Sequence, residues 1–285
     1  MTTDSFGARL RVAMDGLGPL CAGIDPHPGL LAHWGLAETV QGLETFAMTC
    51  VEAFAGTVAV VKPQSAFFER FGSAGVAVLE RTLTGLREAG ILSILDVKRG
   101  DIGSTMAAYA DAYLSQDSPL RADAITVSPF LGFESLRPAL DLAGDTGRGV
   151  FILALTSNPE GAQVQHAMKD GRTVAGRIVD GVTRQNASPG SAGVLGSVGM
   201  VIGATVGEAV RMLGLDLAAA NAPLLAPGVG AQGATAGDLR TVFGSALGNV
   251  LAASSREILG AGPDRAALSA AARRTARQLA TILST

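Results

Sequence analysis

The sequence predicts the α/β class: one domain, residues 1–285, folded as a (β/α)8 barrel. Three observations predict it. Short apolar runs alternate eight times with stretches of helical periodicity, the pattern of a parallel sheet with helical crossovers. Those runs are nearly continuous, as strands buried on both faces must be. The 285 residues, 48% hydrophobic and 16% charged, supply one large core at a size that such barrels often reach as a single domain. A doubly wound open sheet is the main rival for the same alternation.

Taken in order, the predicted strands are Leu20–Ile24, Val58–Val61, Leu92–Leu95, Ala124–Val127, Val150–Leu155, Met200–Gly203, Pro223–Ala226 and Val250–Ala253. Each is a β-branched or aliphatic run closed by Gly, Pro or a polar residue. Helical patterns cover Glu44 to Phe54, Gly75 to Ala89, Ser104 to Leu114, Leu131 to Ala143, Thr173 to Arg184, Val206 to Leu213, Ala236 to Ala246 and Asp264 to Leu283. In the last, Leu268, Ala272, Ala276, Leu279 and Leu283 recur at three and four, so its arginines form a solvated face. Asn186 to Gly199, rich in Gly and Ser, reads as the loop before strand six.

Several classes of function drop out. The net charge is −3 with no long basic run, so neither nucleic acid nor an anionic membrane surface is expected as a partner. No apolar run approaches the ~18–20 residues that span a bilayer. Met1 to Arg11 is polar and lacks the apolar segment of a signal peptide; a cytoplasmic protein is expected. Cys21 and Cys50, the only two cysteines, lack metal spacing and read as buried thiols in a reducing compartment. His27, His33 and His166 form no metal set and read as surface or loop histidines; no metal site is expected. No G-x-S-x-G elbow is present, which disfavours a serine hydrolase.

In such a barrel the chemistry sits at the C-terminal ends of the strands. Polar residues recur there: Asp25 after strand one, Lys62 after strand two, Asp96 and Lys98 after strand three, Ser128 after strand four, Thr156, Ser157 and Asn158 after strand five, and Ser254, Ser255 and Arg256 after strand eight. Strand three is the most telling. Its apolar run stops at Asp96, and Lys98 and Asp101 follow. Side chains alternate with period two, so Asp96 and Lys98 share one side of the strand. Asp101 lies on the turn leaving it, and Ser104 or Thr105 can cap a helix starting there. Two carboxylates bracketing an ammonium at a buried strand end suit chemistry, although D-x-K alone is equally a structural ion pair. The loop Pro227 to Gly233 has the look of a phosphate cradle, since glycines let backbone N–H groups approach an anion. Arg256, taken as opening the last helix, adds a cation at a helix N-terminus.

The combined pattern resembles the orotidine 5′-phosphate decarboxylase family, in its longer bacterial, mycobacterial-type branch. The resemblance rests on Asp96-x-Lys98-x-x-Asp101-Ile102-Gly103-x-Thr105, Gly23-Ile24-Asp25-Pro26, Val61-Lys62-Pro63-Gln64, Thr156-Ser157-Asn158-Pro159 and Ala226-Pro227-Gly228-Val229-Gly230-Ala231-Gln232-Gly233. These blocks run in family order from residue 23 to about 258. The chain departs from the pattern at Glu160-Gly161, where the family places a glycine directly after the proline. The resemblance implies decarboxylation of orotidine 5′-phosphate to UMP without metal or organic cofactor. Lys62, Asp96, Lys98 and Asp101 would form the charged array, with Lys98 protonating C6. Asp25 and Lys62 would hold the ribose hydroxyls, Ser157 the pyrimidine edge, and Gly230, Gln232 and Arg256 the phosphate. It further implies a homodimer in which Asp101, Ile102 and Thr105 serve the neighbour's site. Metal-dependent sugar-phosphate decarboxylases and aldolases share the D-x-K-x-x-D spacing but lack the lysine after strand two. A non-catalytic phosphoribosyl-binding barrel is the rival of another class.

Overall fold

In the computed structural model, which describes residues 5–187, 194–229 and 234–283, eight parallel strands close on themselves. We label them β1 (Leu20–Ile24), β2 (Val60–Pro63), β3 (Leu92–Arg99), β4 (Ala124–Val127), β5 (Gly149–Leu155), β6 (Val198–Ile202), β7 (Leu224–Pro227) and β8 (Val250–Ser254). Each pairs with its neighbours in chain order, and β1 also pairs with β8, Leu20 lying opposite Ala252. That last pairing decides against the doubly wound sheet, which keeps two free edges.

β1 and β4 have the predicted bounds. β2 starts at Val60 because Val58 and Ala59, although buried, precede the ladder. β3 outruns its apolar segment by four residues. A bulge between Leu95 and Arg99 carries the chain on, with Lys98 in the left-handed region at φ 45°. Such an irregularity re-aims side chains at the rim of a barrel.

The helices lie outside the strands and bury their apolar stripes against them. Val40–Phe54 and Gly72–Glu88 extend the predicted patterns toward the N-terminus. The stretch Leu131 to Ala143 becomes a 3-10 turn, Phe133–Leu136, followed by the helix Arg137–Asp145. Val206 to Leu213 shrinks to the single turn Ala209–Met212. The helix after β3 spans Gly103–Leu114 with Ile102 at its N-cap and no side-chain cap. Ser104 and Thr105 therefore sit inside its first turn and do not cap it. Arg256 opens a four-residue helix, Arg256–Leu259, while the last helix is Arg265–Leu283.

The predicted patterns leave out the short helices Pro28–His33, Ala66–Glu69 and Gly161–Gln165 and one longer helix at the N-terminus. Phe6–Leu17 begins at Ser5, whose hydroxyl accepts from Ala8 N, and buries Phe6, Leu10 and Met14 along one face. It forms the barrel floor. Those side chains join Val60, Ile94, Phe151, Val201, Leu225 and Leu251 in a continuous inner core. Each large side chain buried so contributes roughly 1.5–3 kcal/mol. Phe6 meets the edge of Phe151 at 5.9 Å. Gly149 is required beneath it, since a Cβ there would stand 2.4 Å from the Phe6 ring. Gly7 N donates to Ser197 Oγ (3.1 Å), and Arg9 pairs with Asp123 at 2.6 Å.

Cys21 and Cys50 are free and buried, as expected. Burial pushes the Cys21 thiol up to about 12, so it is not a nucleophile near neutrality. His27 Nδ1 accepts from Gly29 N (3.3 Å) at the start of Pro28–His33, and its ring packs edge-on to Phe67 at 5.8 Å. Among the described residues no helix is long and apolar enough to cross a membrane, and no three His, Cys, Asp or Glu stand together as metal ligands.

Candidate active site

A cavity of about 370 Å³ opens at the C-terminal ends of the strands. Its walls include Asp25, Lys62, Gln64, Asp96, Lys98, Thr126, Thr156, Gly228, Val229, Ser254, Ser255 and Arg256. At its base lies Asp96, only 9% exposed. Oδ1 accepts from Lys98 Nζ (2.6 Å) and Thr126 Oγ1 (2.7 Å), and Oδ2 accepts from Lys62 Nζ (3.0 Å). With its amide turned to satisfy its neighbours, Gln64 Nε2 donates to Asp96 Oδ2 (3.1 Å) and Asp96 O (2.9 Å). Four donors saturate one carboxylate, so the group is rigid and has no lone pair left to offer.

The local fold explains this convergence. β2 and β3 are neighbours, so Lys62 and Asp96 face each other across one step of the barrel. Lys98 would overshoot on a regular strand. Its left-handed backbone, held by donation of its N–H to Thr126 Oγ1 (3.0 Å), folds the side chain back onto Asp96. A non-glycine residue in that region costs of order 1–3 kcal/mol, the kind of strain that persists where the surroundings hold it for function.

Charge follows geometry. Burial disfavours the Asp96 anion, but the ammoniums of Lys62 and Lys98 and the bonds from Lys98 and Thr126 outweigh it, holding its carboxyl well below the usual range. Burial likewise disfavours the Lys62 cation, and the carboxylates of Asp96 and Asp25 overcome that and raise it above the ordinary lysine range. A depressed carboxyl stabilises the fold above its unfolded value near 3.9 and loses that contribution as pH falls. A raised lysine does so below about 10.4 and loses it as pH rises. The Tm gap between wild type and Asp96→Asn is therefore expected to be constant from about pH 5 to 9 and to shift against the wild type below about pH 4. Thermal melts across that range check it; a gap indifferent to acid would contradict the ionised state of Asp96.

Above Asp96 the cavity holds polar atoms with no partner. Asp25 Oδ1, Ser254 Oγ and Ser255 Oγ are buried and unbonded, at the tops of the paired strands β1 and β8. Buried polar atoms are normally satisfied, so these three leave the cavity with unused hydrogen-bonding capacity that a polar ligand could meet. Gly23 allows the approach, because a Cβ there would lie 2.8 Å from that of Ser255.

The predicted residues fall into three groups. Asp25, Lys62, Asp96, Lys98 and Arg256 line the cavity together. Ser157 is exposed at its edge, and the adjacent Thr156 does the lining. Asp101, Ile102 and Thr105 do not reach the cavity of their own chain. Asp101 Oδ1 accepts from Ile102 N (2.8 Å), and Ile102 is 61% exposed. Gly230 and Gln232 lie outside the described residues; beside them, Gly228 and Val229 line the cavity. Two site residues had no part in the sequence reading: Thr126, an inward threonine in a buried strand, and Gln64, quoted only as motif text.

Comparison with known proteins agrees with this arrangement. The family model described as orotidine 5′-phosphate decarboxylase / HUMPS family matches residues 18–271. A curated relative from Salinispora arenicola, named orotidine 5′-phosphate decarboxylase, is 65% identical over 272 residues, covering 95% of each chain. One of the same name from Streptomyces coelicolor is 58% identical over 279 residues, 98% of each. A crystal structure from Streptomyces avermitilis matches at TM-score 0.94 and 55% identity, over 100% of this chain and 98% of that one. The structure of Leishmania donovani OMP decarboxylase matches at TM-score 0.74 and 28% identity, over 99% of both.

Proposed function

We infer what this site does from the premise that the chain belongs to the orotidine 5′-phosphate decarboxylase / HUMPS family: it converts orotidine 5′-phosphate to UMP and CO2, the closing step of UMP synthesis. The observation that carries the reading is Asp96 pinned between Lys62 and Lys98 beneath three unpartnered polar atoms.

The chemical problem is severe. Loss of CO2 from C6 of the pyrimidine leaves a carbanion with no adjacent carbonyl to spread its charge. Enzymes supply about 8–23 kcal/mol of barrier reduction, and this reaction calls for the upper end. A preorganised array of fixed charges meets that need without reorganising during the reaction. In our reading the substrate carboxylate lies over Asp96, and Lys98 faces C6. As the C6–carboxyl bond breaks, its electron pair stays on C6 beside the Lys98 ammonium. CO2 departs, and a proton passes from Nζ to C6. Lys62 keeps Asp96 ionised and, with Asp25, binds the ribose hydroxyls. Ser157 bonds the pyrimidine edge. Gly230, Gln232 and Arg256 hold the phosphate, whose binding energy, remote from C6, supports closure over the substrate. Residues 1–285 act as one domain.

The reading extends to a homodimer with shared sites in the cytoplasm. It is supported by the position of Asp101, Ile102 and Thr105 outside their own cavity. Ile102 and the exposed Phe130 and Leu131, on the loops after adjacent strands, offer an apolar surface for a second copy. Asp101 would then complete the neighbour's array.

Following the ultraviolet absorbance of orotidine 5′-phosphate tests the activity. Loss of the orotidylate signal is expected, at a rate unchanged by EDTA, because Asp96 has no free lone pair for a metal. No loss with folded protein would overturn the reading, and loss that EDTA abolishes would move it to metal-dependent chemistry. Arg256→Ala is expected to raise KM about 10–100-fold, the scale of one or two charge-assisted hydrogen bonds. An unchanged KM would remove Arg256 from the phosphate site.

A further inference from the structure

A second cavity, of about 220 Å³, opens at the opposite end of the barrel. It is walled by Arg9 of the floor helix, Arg87, Ser93, Arg121, Asp123 and Arg148. Four guanidiniums thus surround one carboxylate, and that carboxylate is already engaged. Asp123 Oδ1 accepts from Arg9 Nη1 (2.6 Å), and Oδ2 accepts from Ser93 N (2.9 Å) and Ser93 Oγ (3.1 Å).

The other three arginines have no ion-pair partner among the described residues. Each donates to a single neutral oxygen: Arg87 to Thr84 Oγ1 (3.1 Å), Arg121 to Ser118 O (3.2 Å) and Arg148 to Ala122 O (2.5 Å). A guanidinium carries five donors, so most of theirs are unused. The Nε atoms of Arg148 and Arg9 are buried and unbonded. Burial and then Arg121 depress Arg87, against Asp123 and Glu88; burial chiefly depresses Arg148, with its neighbouring arginines adding to it and Asp123 opposing. The positive charge is therefore unbalanced, and at Arg121 and Arg148 it is partly withdrawn from water, an arrangement that an anion relieves.

We propose that this cavity binds a small polyanion of the phosphate class, at a site separate from the decarboxylase mouth. Arginines approaching from several elements suit a tetrahedral oxyanion with three terminal oxygens. A planar carboxylate is satisfied by one guanidinium fork. Because Arg9 and Asp123 belong both to this cavity and to the floor, occupancy also fastens the N-terminal helix to the barrel.

Pyrophosphate is the probe, titrated calorimetrically into the full chain at low ionic strength. Wild type is expected to bind it, Arg256→Ala to keep this binding, and R87Q/R121Q to bind at least about tenfold more weakly with decarboxylation unchanged. Equal affinity in wild type and R87Q/R121Q, no binding to wild type, or loss in Arg256→Ala would each overturn the proposal. If the double variant does not fold, R87Q alone, at an exposed helix end, carries the same comparison.

Discussion

Lys98→Ala is expected to lower kcat/KM for orotidine 5′-phosphate by at least about 10⁴-fold, since it removes both the proton donor and the cation nearest C6. UMP affinity should stay within about tenfold, because the proposed phosphate and ribose contacts are untouched. The fold should survive: the Lys98 side chain is 46% exposed, and Asp96 keeps Lys62, Thr126 and Gln64 as donors. The absorbance assay and a UMP titration measure the two arms. Activity near wild type would refute the proton-transfer role. A parallel collapse of UMP binding would mean that Lys98 positions ligand more than it reacts.

The second large effect is a rescue. Asp101→Ala alone is expected to be nearly inactive, as is Lys98→Ala alone. Mixed after reversible dissociation, the two should recover about a quarter of wild-type activity. Random reassociation makes half the dimers hybrid, and one of the two sites in each hybrid would then hold neither substitution. The measurement is a mixing titration followed by the same assay, with molecular mass from light scattering. If mixing restores nothing although hybrids form, Asp101 serves its own chain or no site at all.

The barrel was legible because burial on both faces writes itself as an unbroken apolar run. Where that signal was clean, as in β1 and β4, the bounds agree. β3 outlasted its apolar run because the bulge at Lys98, which no local pattern announces, shifts the register and lets pairing with β4 resume at Arg99, past the charges. The floor helix was obscured for a different reason. Its apolar face is only Phe6, Leu10 and Met14, and Arg9 and Arg11 lie among them, so the segment reads as polar. In the site, Asp25, Lys62, Asp96, Lys98 and Arg256 were visible as polar residues closing apolar strands. Thr126 was not, since threonine is ordinary strand material and only its bonds to Asp96 and Lys98 set it apart. Gln64 carries no charge to draw notice. The roles proposed for Asp101, Ile102 and Thr105 would depend on a second chain, and no reading of one chain's spacing contains that.

The floor has a consequence for the order in which the molecule is made. Phe6–Leu17 is made before every strand that covers it, and its anchors are spread along the chain: Asp123, Phe151, Ser197 and, for Arg11, Gly248. β1 likewise waits for β8, some 230 residues on, before both its edges are covered. The apolar face of this amphipathic helix is therefore covered only in stages, from Val60 and Ile94 to Leu225 and Leu251, and its packing is completed late in translation. Closure of the last strand and completed seating of this helix become one late event, which leaves the nascent chain dependent on shielding until β8 has emerged.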